Sequence, residues 1–154
     1  MPRFLCINAL APYSRYSLAK RRTWRVLNRI RFAAGCMGAL ANSLTVWAFG
    51  YYGITSSRGV SIAPHLSPDW LYPRIVWGGL WGLLFILPIL QSKLLLKGAL
   101  LSLFPTAVQL FVVFPMMAHK GMAGLDLGQL TPLFVLFFNW VWGIATAWAI
   151  KAAK

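Results

Sequence analysis

The sequence predicts an all-α integral membrane protein, a bundle of four transmembrane helices. The first observation is composition: 59% of the 154 residues are hydrophobic and 11% are charged, and the acidic residues are Asp69 and Asp126. A soluble domain carries about 25% charged residues on average, so this chain lacks the charge to cover a water-exposed surface. Disorder is excluded as well, because disordered chains have low hydrophobicity.

The second observation is a set of four apolar runs, at about residues 32–53, 73–91, 98–118 and 131–150. Each is close to the ~20 residues with which a helix crosses a hydrocarbon core of ~30 Å. Backbone groups in lipid need partners within the protein, and runs without period-two alternation find them as helices. We therefore expect one transmembrane domain over residues 32–154.

The second apolar run has a charged residue, Arg74, close to its start. Pro73 suits the first position of a helix, where a missing N–H does no harm. Arg74 follows it, and we expect the long side chain to reach the lipid headgroups. On this interpretation no ionisable group lies at mid-depth in any helix. Because intramembrane ionisable groups mark proton relays and many transport pathways, the pattern argues against such functions.

The third observation is the distribution of basic residues, which predicts the orientation. Of the 15 Lys and Arg residues, eight lie in residues 1–31, two in the linker 92–97 and two in the last four positions. Cytoplasmic segments carry the excess of Lys and Arg, so both termini are expected in the cytoplasm. The segment before the first run is longer than that of a signal peptide, and we expect a retained anchor.

Residues 1–31 are predicted to be a basic cytoplasmic segment. The net charge of +13 arises largely there, beside a membrane helix, so anionic headgroups rather than nucleic acid are the expected partner. Residues 17–31 fit an interfacial helix on the inner surface, and a disordered basic tail is the alternative. The residues expected to meet the headgroups are Arg21, Arg22, Arg25, Arg29 and Arg31.

A layer of polar side chains is predicted at the midplane. Asn42, Gln109 and Asn139 lie near the centres of the first, third and fourth runs, and Gly82 lies at the equivalent depth of the second. An amide in hydrocarbon needs a hydrogen-bond partner, so we expect the three amides to meet inside the bundle. They serve either as interhelical contacts or as the lining of a solute path.

Small residues recur at every fourth position on three of the predicted helices. This spacing places them on one helix face, where backbones can approach closely. The same pattern serves packing within one chain or assembly into a homo-oligomer or a larger membrane complex. The residues concerned are Gly35, Ala39, Ser43, Gly78, Gly82, Gly143 and Ala147.

Two prolines, Pro105 and Pro115, flank Gln109 and predict a kinked third helix. The sequence predicts no catalytic residue, no metal site and no cofactor. His65 and His119 lack the spacing of metal or haem ligands, and the cysteines form no CxxC motif.

The C-terminal half has a recognisable pattern. Lys97-Gly98 is followed by Gln109-Leu110-Phe111-Val112 and by Phe114-Pro115-Met116-Met117, then by a loop with Gly and Pro and a Trp-rich last helix. This pattern resembles the C-terminal half of a family of small bacterial inner-membrane proteins, one enterobacterial member of which is linked to acid resistance. The resemblance implies a location in the bacterial inner membrane.

These observations predict a multi-pass inner-membrane protein that is not an enzyme. We expect a structural, accessory or partner-binding role within the lipid bilayer. The alternative is a small oligomeric channel or transporter for a neutral or weakly polar solute, which would use the midplane amides and the kinked third helix.

Overall fold

The computed structural model describes the backbone of residues 11–90 and 92–153, and the side chains from Arg21 onward within those ranges. The regular structure of these residues is entirely helical, which confirms the predicted all-α class. α4 continues into a π-helical segment, Gln109–Met117, and short 3₁₀ turns occupy Ser56–Arg58, Leu83–Ile86 and Met122–Leu127. The α-helices are α1 (Ala11–Tyr51), α2 (Pro68–Gly82), α3 (Leu94–Leu101), α4 (Leu103–Val108) and α5 (Thr131–Ala152).

Three stretches in the described part of the chain are long and apolar enough to cross a membrane. They are Arg21–Tyr51, Leu94–Met117 and Thr131–Ala152. Large apolar side chains on their outer faces are exposed, such as Met117 at 72% and Trp148 at 63%. Exposed apolar surface of this extent marks contact with lipid or with partners, so the fold is that of a membrane-embedded protein.

The predicted boundary at residue 31 falls inside α1, which runs unbroken through it. At 1.5 Å per residue, its 41 residues span about 61 Å. This is about twice the thickness of a hydrocarbon core. Arg21, Arg22, Arg25 and Arg29 are exposed on this helix, in place of a separate interfacial helix over residues 17–31. The first ten residues of the predicted basic segment lie outside the described residues.

α2 begins at Pro68, so the expected start at Pro73 is wrong. Ser67 is its N-cap, and the Ser67 hydroxyl accepts a hydrogen bond of 3.4 Å from the backbone N–H of Trp70. Serine before a proline in the first turn is a favoured helix start. Pro73 therefore lies inside the helix, and Arg74 is a full turn deeper than its predicted position at the helix start.

The second segment ends before the predicted residue 91. After Gly82 the helix tightens into the 3₁₀ turn, and Leu87 adopts an extended backbone with φ −54° and ψ 133°. The cause is Pro88, since a residue that precedes proline is disfavoured in the helical region. The last carbonyl groups of this segment are thereby left without helical partners.

Lys97 supplies partners for those carbonyl groups. Its ammonium donates to the carbonyl oxygen of Phe85 at 2.9 Å and to that of Leu87. Expected in the exposed linker, Lys97 is instead part of α3 and only 3% exposed. A cation at the carboxyl end of a helix is favourable, and a buried ammonium requires acceptors.

Close glycine contacts hold the helices together. α1 packs against α2 and α5, and α3 packs against α5. A Cβ atom on Gly35 would lie 2.9 Å from the Cα of Gly82 and would also meet the carbonyl oxygen of Gly78. Gly98 of α3 and Gly143 of α5 make an equally tight backbone contact.

The remaining small residues of the predicted faces also meet partners within the chain. Ala39 lies against Gly78, and Ala147 lies against Gly98. Ser43 is fully buried and faces α2. Trp142 fills the space between α1 and α2, and its indole N–H donates to the carbonyl oxygen of Gly35 at 3.2 Å. The four-residue spacing therefore serves helix packing within one chain.

Substitution of Gly98 by alanine tests this packing, because a tight contact and an open helix predict opposite changes in the free energy of unfolding. In an open helix, alanine stabilises by about 1 kcal/mol relative to glycine. Here the new Cβ would meet the carbonyl oxygen of Gly143, so we expect Gly98→Ala to lower the free energy of unfolding by about 1–3 kcal/mol. Denaturation of the purified protein in detergent measures the difference, and a stabilised variant would contradict the contact.

Candidate functional site

The three predicted midplane amides lie in one region between the helices. Asn139 donates from its side-chain amide to the carbonyl oxygen of the Gln109 side chain at 3.3 Å. Asn42 donates to the backbone carbonyl oxygen of Phe138 at 2.7 Å, one residue from Asn139. Asn42 and Asn139 are only 6% and 7% exposed. The amides thus connect α1, α5 and the start of the π-helical segment.

Gly82 does not belong to this layer, so its predicted place there is wrong. A Cβ atom on Gly82 would lie 2.5 Å from the carbonyl oxygen of Arg31. Arg31 precedes Asn42 by eleven positions on α1, which corresponds to about 16 Å along the helix. The reason is the early start of α2, which carries Gly82 well past the amide level.

Arg74 supplies the α2 contribution to the layer. Its Nη2 donates to Oδ1 of Asn42 at 2.8 Å, and its Nε donates to the hydroxyl of Ser43 at 3.0 Å. The guanidinium also lies over the ring of Trp70, 4.6 Å from the ring centroid. Each of these partners is uncharged, so the described contacts leave the positive charge without a counterion.

The side chain of Arg74 points into the bundle. The expectation that it reaches the lipid headgroups is therefore wrong, as is the expectation that no ionisable group lies at mid-depth. Asn139 lies eight residues beyond the start of α5 at Thr131, or about 12 Å along the helix. A membrane that α5 spans therefore has the layer of Arg74, Asn42 and Asn139 within its core. An ionisable residue at such a depth is a functional-site candidate by default.

Arg74 has donors left after these contacts. A guanidinium carries five N–H groups, and the described hydrogen bonds use one on Nε and one on Nη2. Three N–H groups thus remain for further acceptors. Because Asn42 is itself held by the Phe138 carbonyl, the orientation of the guanidinium is fixed before any such acceptor arrives.

A cleft of about 410 Å³ adjoins this layer. Its volume lies within the range of small-molecule sites, about 300–1,000 Å³. Apolar walls come chiefly from Val46, Phe114, Leu127, Val135 and Phe138. Its polar lining consists of Asn42, Ser61, Trp70, Arg74, Gln109 and Lys120.

Two connecting segments form the rim of the cleft. The backbone N–H of Ser61 donates to the carbonyl oxygen of Leu127 at 2.7 Å, which joins the loop after α1 to the loop before α5. The hydroxyl of Thr55, fully buried, donates to the carbonyl oxygen of Ile62 at 2.7 Å. The rim is therefore an ordered part of the structure and lies at the loop end of the bundle.

The π-helical segment brings Gln109 to the cleft. Pro115 lies inside this segment and has no N–H to continue regular helical bonding. Wider turns of this kind recur at functional sites, because they redirect side chains. The predicted irregularity of the third helix is thus present, and Gln109 at the start of the segment lines the cleft.

The other predicted polar residues do not line the cleft. His65 and His119 are exposed, as are Asp69 and Asp126. In the part of the chain that the structure describes, no three His, Cys, Asp or Glu residues group in a way that could hold a metal ion.

Sequence reasoning missed Arg74 as a site residue, although a signal was present. Arg74, Gly78 and Gly82 follow one another at intervals of four, so they share one face of α2. Since that face carries the small residues that pack against α1, Arg74 had to face α1 as well. No protein-family model, curated protein or solved structure matches this chain.

Proposed function

We propose that this chain is an integral membrane protein that binds a small ligand without reacting with it. The observation that carries the proposal is the cleft beside Arg74, where a fixed guanidinium keeps unused donors. Guanidinium and carboxamide groups do not exchange protons near neutral pH, so they suit binding better than acid–base catalysis. This is a partner-binding role in which the partner is a small molecule.

Four membrane passes belong to the proposal. The 15 residues of α2 rise about 22 Å, and the four residues of the following 3₁₀ turn add about 8 Å. Together they match a hydrocarbon core of ~30 Å, which supports a pass by the second segment.

We place the protein in the bacterial inner membrane, with both termini in the cytoplasm. The excess of Lys and Arg in residues 1–31 supports this orientation. The resemblance of the C-terminal half, from Lys97 onward, supports the location. The exposed arginines of α1 would then meet anionic headgroups on the cytoplasmic side, and the cleft would open to the outside.

A channel or transporter for a neutral solute is the second candidate. Gln109 and the π-helical segment favour it, since irregular helices line many transport sites. Away from the cleft, however, the helix backbones meet directly: Gly35 contacts Gly78, and Gly98 contacts Gly143. This packing favours a site that ends inside the bundle over a continuous path.

Cysteine labelling tests the orientation. In a chain with Cys6 and Cys36 replaced by alanine, Ser61→Cys should react with a membrane-impermeant maleimide added to intact spheroplasts, because residue 61 is exposed at the cleft rim. Lys93→Cys, at the opposite end of the bundle, is the matched control and should react only after the membrane is opened. The reverse pattern would contradict cytoplasmic termini.

A bulky side chain in the cleft tests the binding role. Ala118→Trp should fill the cleft that Ala118 lines, whereas Ala107→Trp adds the same group on an exposed face of α4 outside it. We expect at least one class of small aromatic solute (anionic, neutral or cationic) to raise the thermal unfolding midpoint of the wild type and of Ala107→Trp only. A ligand at 100 times its Kd adds about 2.7 kcal/mol of stability.

Two results would contradict this function. One is the absence of any midpoint shift with all three classes of solute. The other is flux of glycerol through proteoliposomes of the wild type that Gln109→Leu abolishes, because such flux is the property of the channel candidate.

A further inference from the structure

The geometry points to a small organic carboxylate with an apolar body as the ligand of the cleft. This inference rests on the proposed binding function and adds the chemical class of the ligand. Three features of the cleft carry it: the positive charge of the lining, the hydrogen-bond donors that the lining leaves unused, and the apolar walls beside these donors.

Charge is the first argument. Arg74 and Lys120 both line the cleft, whereas the two acidic residues of the chain, Asp69 and Asp126, do not. A cation within a membrane protein is normally paired or well hydrogen-bonded. The hydroxyl, amide and ring that contact Arg74 satisfy part of its hydrogen bonding but supply no negative charge. An anionic ligand would supply it.

The unused hydrogen-bonding groups are the second argument. Oε1 of Gln109 already accepts from Asn139, whereas the described hydrogen bonds use neither N–H of its NH₂ group. Arg74 retains both N–H groups of Nη1 and one of Nη2, and a lysine ammonium such as that of Lys120 can only donate. These three side chains all line the cleft and all offer donors. The matching ligand group is one that only accepts.

The edge of the guanidinium favours a carboxylate over a single acceptor oxygen. The N–H groups left on Nη1 and Nη2 lie side by side, and two parallel N–H···O bonds to a carboxylate are the strongest contact that arginine makes. A monoanion also matches one guanidinium at depth, since Lys120 lies among the exposed residues. Rigid placement of Arg74 by Asn42 reduces the entropy lost on binding.

The apolar walls of the cleft indicate that the ligand has an apolar body in addition to its carboxylate. Phe114, Val135 and Phe138 line the cleft beside the donors, and each is at most 9% exposed. A fully hydrated inorganic anion would leave this apolar surface uncovered. A carboxylate with an aromatic or aliphatic body covers it, which provides hydrophobic stabilisation in addition to the charge contact.

The test uses benzoate as the probe, with four compounds that each lack one property. Benzyl alcohol lacks the charge, benzylamine reverses it, acetate lacks the apolar body, and inorganic phosphate replaces the carboxylate. Binding to the purified full-length chain in a neutral detergent is measured by calorimetry and by the thermal unfolding midpoint. We expect benzoate to bind most tightly of the five.

Three variants assign the binding to the site. Arg74→Gln should weaken benzoate binding by about tenfold or more, as expected for the loss of hydrogen bonds to a charged group. Ala118→Trp should abolish it while leaving Arg74 in place, which covers the case in which Arg74→Gln fails to fold. Lys151→Gln removes an exposed positive charge at the end of α5 and should leave the affinity unchanged.

The outcomes separate this inference from the proposed function. Equal or tighter binding of benzyl alcohol or benzylamine, lost in Ala118→Trp, would overturn the carboxylate and leave the binding function intact. Equal binding of acetate or phosphate would overturn the apolar recognition. Benzoate binding that is displaced by phosphatidylglycerol would assign the anionic group to a lipid and overturn a free carboxylate. Absence of binding by every compound would overturn both proposals.

Discussion

The guanidinium of Arg74 lies between α1 and α2 and fixes the register of three helices. A charged side chain that is buried between helices must be hydrogen-bonded there, because an unpaired buried charge is costly. Asn42 and Ser43 of α1 accept from it, and Asn42 in turn donates to the Phe138 carbonyl of α5. Loss of one member leaves the next without its partner, which makes the group cooperative.

The cleft follows from a change in side-chain size along the bundle. On one side of the polar layer, Gly35 contacts Gly78 and Gly98 contacts Gly143, so the helix backbones meet directly. On the other side, bulky rings such as Phe114 and Phe138 stand between the helices. The cleft lies among these rings and is bounded by the charged and amide groups of the layer. The tight helix packing and the cleft thus both follow from the change from glycine to large aromatic residues along the helices.

Much of this fold could be predicted from the sequence, because membrane helices have a strong apolar signal. The run predicted at residues 131–150 corresponds to α5, Thr131–Ala152, and the pairing of Gln109 with Asn139 follows from the need of buried amides for partners. The second segment could not be predicted as well, since two prolines compete for its start. A helix start at Pro73 places Arg74 at the membrane surface and Gly82 at the midplane, whereas the actual start at Pro68 shifts both residues along the helix axis.

Arg74 and Asn42 are expected to be energetically coupled inside the bundle, because the guanidinium donates to the Asn42 amide oxygen. A double-mutant cycle measures this most directly, with Arg74→Met, Asn42→Leu and the double variant compared with the wild type by denaturation in detergent. We expect a coupling energy of about 1.5–3 kcal/mol, as for a hydrogen bond to a charged group. Additive effects of the two substitutions would mean that the two side chains do not interact, and would contradict a polar layer held together by Arg74.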